Sequence, residues 1–131
     1  MTDMAILKTT GIDHVNLEVR DLDETTDFYS GLLGFEVMED MPEHNGRIIG
    51  NEWAKLAIYE SADFRRDGNE SGFSHISFHI ENFNDIAGIC DRLNIAIKYG
   101  GPVQWPRSRS IYIDDPNGYE IELAEVWGGG L

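Results

Sequence analysis

One pattern occurs twice in this chain and constrains its fold more than any other feature. The first copy reads His14-Val15-Asn16-Leu17-Glu18-Val19, followed by Leu22 and Asp23. The second begins 61 residues later and reads His75-Ile76-Ser77-Phe78-His79-Ile80, followed by Phe83 and Asn84. Each apolar position of one copy meets an apolar position of the other. Alternation with a period of two marks both as strands with one apolar and one polar face. Each copy opens with a histidine opposite its apolar side chains, so the repeat points to two similar modules arranged as a pseudo-symmetric metal cage.

The rest of the chain supports the repeat. After the first strand, Asp21 or Asp23 is placed to cap a helix whose stripe is Phe28, Leu32 and Leu33 and whose stop is Gly34. Strands are expected at Phe35–Met38, Arg47–Gly50 and Ala54–Tyr59, with a turn at Pro42–Gly46. The polar stretch Ser61–Gly72 separates the halves. The second half repeats the order: strand Ser74–Ile80, helix Phe83–Leu93, then strands at Ile95–Tyr99, Ser110–Asp114 and Tyr119–Val126. Pro116-Asn117-Gly118 makes the last hairpin turn, and the glycines at 128–130 read as a frayed tail. The fold expected is α+β: two βαβββ modules, about 8–60 and 73–126, within one domain spanning 1–131. Their curved mixed sheets would surround a metal-binding cleft.

At 131 residues the chain can bury a sizeable core. Its net charge of −14 argues against nucleic acid and anionic membrane as partners, because phosphate contacts need concentrated positive charge. No signal peptide or membrane-length apolar run is visible. The single cysteine, Cys90, falls on the apolar helical face Ile86, Ile89, Cys90, Leu93 and reads as packing rather than as a nucleophile. A cytoplasmic protein is expected.

Helices must cover the apolar face of each sheet, so the alternating positions face a concave interior. His14, Asn16 and Glu18 turn inward on the first strand, and Lys55, Ala57 and Tyr59 on the fourth. In the second module the inward positions are His75, Ser77 and His79, then Ser110, Tyr112 and Asp114, then Glu120 and Glu122. Such a concentration of His and Glu is costly without a partner, and a divalent metal supplies one. His14, His75 and one inward glutamate form a two-His-one-carboxylate set of the kind found in non-haem Fe(II) sites. The alternative is a polar groove whose histidines are merely hydrogen-bonded.

These residues resemble the vicinal oxygen chelate superfamily of glyoxalase I, fosfomycin and bleomycin resistance proteins, methylmalonyl-CoA epimerase and extradiol dioxygenases. The likeness runs from about Gly11 to Val126. It is carried by Gly11-Ile12-Asp13-His14-Val15, by Asp27-Phe28-Tyr29 with Leu33-Gly34-Phe35, by Ser74-His75-Ile76-Ser77-Phe78, and by Asp115-Pro116-Asn117-Gly118-Tyr119-Glu120-Ile121-Glu122-Leu123. The resemblance implies that His14, His75 and Glu122 are the metal ligands, choosing Glu122 over Glu120. It implies Fe(II) first, with Mn, Zn, Ni or Co as alternatives. A fourth ligand of the glyoxalase type is missing, since Ala57 stands at the matching place. Three ligands resemble the extradiol dioxygenases and the fosfomycin enzymes, which also have a tyrosine matching Tyr112.

The activity expected is therefore an extradiol-dioxygenase-like oxidation of a small substrate with vicinal oxygens. A metal-dependent lyase, isomerase or transferase is the second reading, and a metal-free drug-binding protein the third. Tyr112 and His79 are the candidate catalytic side chains, with interior packing as the plainer alternative for each. His44 reads as exposed in a polar turn. Trp53, Trp105 and Trp127 either line a pocket mouth or simply pack. Arg107 and Arg109 either meet an anionic substrate or are solvated. Two-module members of this superfamily resemble dimers with barrels formed between subunits, so a homodimer is expected.

Overall fold

The computed structural model describes residues 6–8, 10–64 and 73–126. Most of the expected linker, Trp127 and the glycines at 128–130 lie outside the described residues. The first module runs β1 (Val15–Val19), α1 (Leu22–Leu33), β2 (Glu36–Met41), β3 (Gly46–Gly50) and β4 (Lys55–Glu60). The second runs β5 (His75–His79), α2 (Ile86–Leu93), β6 (Val103–Gln104), β7 (Arg109–Asp114) and β8 (Glu120–Ala124). Two four-stranded mixed sheets result, in the orders β1-β4-β3-β2 and β5-β8-β7-β6. In each, the first strand pairs in parallel with the last and the other pairs are antiparallel. The α+β fold of two βαβββ modules is as the sequence implies.

Local chemistry sets the boundaries. Asp21 caps α1 by accepting a 2.7 Å hydrogen bond from the Glu24 N–H. Gly34 ends that helix at φ 69°, a left-handed conformation that costs glycine little. Asn94 ends α2 in the same region, at φ 60°. The expected strand at Ile95–Tyr99 does not form. Asn94, Tyr99, Gly100 and Gly101 all have positive φ, which breaks any extended run. The Lys98 N–H reaches β7, at the Tyr112 carbonyl. The two-residue β6 takes the edge position instead.

A single core lies between the helices and the apolar sheet faces, with Leu17, Val19, Leu56 and Ile58 from one module and Ile111, Ile113, Ile121 and Leu123 from the other. Phe35 meets Phe78 edge-on across the junction, with ring centroids 5.8 Å apart. Polar groups also cross it. The fully buried Tyr29 donates its phenolic O–H to Asp115 at 2.9 Å. Asn117 donates to Thr25 at 3.0 Å and accepts from the Arg20 N–H at 2.8 Å. The expected Pro116-Asn117-Gly118 turn, with Asp115 before it, thus both closes the β7–β8 hairpin and ties the second module to β1 and α1.

Burial raises the Asp115 pKa, while hydrogen bonds from Tyr119, Tyr29 and Asn117 partly offset it. A carboxyl raised in the folded state favours folding below that raised value and loses this contribution as pH rises through it. Tyr29→Phe removes one offsetting donor. The expected cost is ~1–3 kcal/mol in chemical denaturation, larger at a pH above the raised Asp115 value than below it. An equal deficit at both would show that the Tyr29–Asp115 bond is not its source.

Candidate metal-binding site

β8 lies between β5 and β7, and register fixes which side chains share its concave face. His75 opposes Glu120, Ser77 opposes Glu122, and Tyr112 opposes Glu122 from the other side. The apolar partners Ile76, Phe78, Ile111, Ile113, Ile121 and Leu123 point to the opposite face and join the core. Alternation places these polar groups as expected.

His75 and Glu122 meet on this face, Nε2 to Oε1 at 2.9 Å. The other His75 nitrogen, Nδ1, lies 2.8 Å from the Ser74 hydroxyl. Ser110, 1% exposed, donates to the second Glu122 oxygen at 2.6 Å. The pair is therefore held at both ends. The Tyr112 ring stands edge-on to His75 with centroids 5.8 Å apart. Burial pushes the Tyr112 phenol pKa up, and the Glu122 charge pushes it further, with the Trp105 side chain acting the other way. Tyr112 is consequently a neutral O–H donor at physiological pH.

A second polar group lies beside the first. Lys98 donates to Asp114 and to Glu120, each at 2.8 Å. Tyr99 also hydrogen-bonds Glu120, and a Glu120 oxygen lies 3.9 Å from His75 Nδ1. Burial opposes ionisation of Glu120, but the Lys98 and Tyr99 hydrogen bonds together with the Lys98 charge hold its carboxyl below the usual range. The sequence reading placed Lys98 and Tyr99 on a strand and missed this group. The Gly100-Gly101 pair was the available signal that the chain bends there.

The other expected site residues are placed as follows. His14 precedes β1, is exposed, and binds its neighbour Asp13 at 2.8 Å. It does not join His75 and Glu122 within the chain. Among the described residues, no three of His, Cys, Asp and Glu come together as a metal-holding group. Ala57 is buried beside Asn16, so no ligand occupies the fourth-strand position. His79 ends β5, exposed, beside a groove of about 970 Å³ also lined by Ser77 and Glu122. Arg109 lies over the Phe83 ring and pairs with Glu125 at 2.8 Å, on the helix side of the sheet. It is thereby turned away from the concave face and from any anion bound there. Arg107 and His44 are exposed, as is Trp53, while Cys90 is buried.

The family model described as the Glyoxalase/Bleomycin resistance protein/Dioxygenase superfamily matches residues 11–123. The chain belongs to this superfamily. It is 28% identical over 114 residues to the metallothiol transferase FosB of Staphylococcus saprophyticus, covering 86% of this chain and 74% of that protein. It is 26% identical to a probable lactoylglutathione lyase of Synechocystis, covering 86% and 93%. The crystal structure of lactoylglutathione lyase from Agrobacterium tumefaciens superposes with a TM-score of 0.72 at 24% identity, covering 92% of this chain and 98% of that one. Among the described residues, no helix is long and apolar enough to cross a membrane.

Proposed function

We propose that this superfamily member is a metal-dependent transferase or lyase acting on a small substrate that presents two adjacent oxygens. The observation that carries this is the His75–Glu122 pair, 2.9 Å apart and buttressed by Ser74 and Ser110. The donor set fits a divalent metal. Imidazole nitrogen and carboxylate oxygen suit Mn, Fe, Ni, Co and Zn alike, and a metal would take the place of the hydrogen bond between these two groups. The transferase form comes first, because Ala57 leaves no fourth ligand of the glyoxalase type and a metallothiol transferase is among the relatives. The extradiol oxidation expected from sequence yields first place, since the relatives named above are a lyase and a transferase.

In this reading His75 and Glu122 hold the metal, and the third ligand is His14 from a second copy of the chain. The dimer is supported by the separation of His14 from the pair within one subunit. A closed two-fold dimer would supply the missing imidazole to both sites. When bound, the metal supplies Lewis acidity toward the paired oxygens of the substrate. Tyr112 keeps its proton and offers it to a substrate oxygen as negative charge develops there. Ser110 fixes the orientation of Glu122, and Ser74 fixes the His75 ring. His79 stands at the groove beside Ser77 as a candidate acid–base group.

Three outcomes follow. His75→Ala abolishes stoichiometric metal uptake in elemental analysis of chelator-free protein; retained metal would remove the proposal. Ser110→Ala keeps the fold and weakens metal about 10–100-fold by competition titration. Mixing His14→Ala with Glu122→Ala subunits, each inactive in metal uptake, restores about a quarter of the sites if ligands come from both copies. No recovery would place the ligand set within one chain. Oxygen uptake with a catechol panel under Fe(II) would return the extradiol-dioxygenase reading to first place.

A further inference from the structure

Tyr99 is held in a backbone conformation that its side chain makes unfavourable. Its φ is 58°, the left-handed region where a Cβ crowds the following carbonyl. Gly100 and Gly101 follow at φ 78° and 121°, so three successive residues turn the chain sharply at this point. Glycine or asparagine would occupy the first of these positions more readily. Strain of this kind persists only where surrounding contacts impose it, and it gathers at ligand sites.

The contacts that impose it all lie on the concave face. The Tyr99 hydroxyl binds Glu120, its ring lies edge-on to Tyr112 with centroids 5.4 Å apart, and Lys98 Nζ sits 5.4 Å from its centroid. Tyr112 in turn stands 5.8 Å from His75. Tyr99, Tyr112 and His75 thus form a row of rings, each nearly perpendicular to the next, leading from solvent to the His75–Glu122 pair. The outer member is 65% exposed, and Trp105, 43% exposed, adds a second open aromatic surface near Tyr112. Lys98, the cation in contact with Tyr99, faces two carboxylates, Asp114 and Glu120. The wall therefore carries excess negative charge and offers ring faces rather than an anion-binding group.

We infer that Tyr99 is a specificity-determining residue, and that its ring selects substrates carrying a neutral aromatic or flat unsaturated group next to the two oxygens that reach the metal. This rests on the metal-centred reading above. Aromatic edge-to-face packing favours such a group over an aliphatic one of similar chelating power.

The test uses the full-length protein loaded with Mn(II) and two chelating probes, 4-nitrocatechol and acetohydroxamate, titrated by calorimetry. Tyr99→Asn is expected to weaken 4-nitrocatechol about 5–10-fold and to leave acetohydroxamate within about two-fold. Tyr99→Phe, which keeps the ring and loses the Glu120 bond, is expected to restore the aromatic preference. Thermal unfolding is the structural control, with the Tm of Tyr99→Asn unchanged or a few degrees higher as strain is relieved. Equal effects on both probes, or a lowered Tm with no change in preference, would overturn the assignment of Tyr99 while sparing the metal site. Failure of the wild-type protein to take up Mn(II) or any other divalent metal would overturn both.

Discussion

The parallel pairing of β5 with β8 is the constraint on which the site depends. Its register sets His75 against Glu120 and Ser77 against Glu122. Glu122 is then reached diagonally by His75 from one neighbouring strand and by Ser110 from the other. A slip of one residue would exchange this polar set for Ile76, Phe78, Ile121 and Leu123, and no core would remain. Burial of the apolar face therefore enforces the position of the polar one.

The junction between modules is a second level of organisation. Tyr29, Thr25 and the Arg20 backbone hold the Asp115–Gly118 turn through buried or partly buried hydrogen bonds. Such bonds are costly to break because each leaves a polar group without water or partner. This packing satisfies the apolar faces of both sheets within one subunit. It leaves the concave faces open, with His14 on one module and the His75–Glu122 pair on the other. Under the metal-centred proposal, a second copy of the chain would bring His14 to that pair.

Much of this was legible in the chain. Alternation assigned the concave face of β5, β7 and β8, because strand side chains have a period of two whatever surrounds them. Asp21 or Asp23 and Gly34 marked the ends of α1 through capping chemistry that acts over three or four residues, and the structure chose Asp21. The segment from Ile95 to Tyr99 departs from the expected strand: its apolar spacing mimics one, its flanking left-handed residues Asn94 and Tyr99 are not glycine, and the Gly100-Gly101 pair that follows is the local sign of the bend. Arg109 was open to two readings because its partners, Phe83 and Glu125, are distant in sequence. The role of Asn117 as a cross-module tie was likewise hidden behind its role in a turn.

The sequence by itself determined the two modules, the identity of each strand's polar side chains and the pairing of histidine with carboxylate on one face. These follow from local periodicity and from the cost of burying charge without a partner. Only the tertiary structure decided how the modules sit against each other, and so kept His14 from His75 while drawing Lys98 and Tyr99 over Glu120. That arrangement depends on long-range burial and buried hydrogen bonds between residues some ninety positions apart, such as Tyr29 with Asp115 and Thr25 with Asn117, which no local pattern encodes.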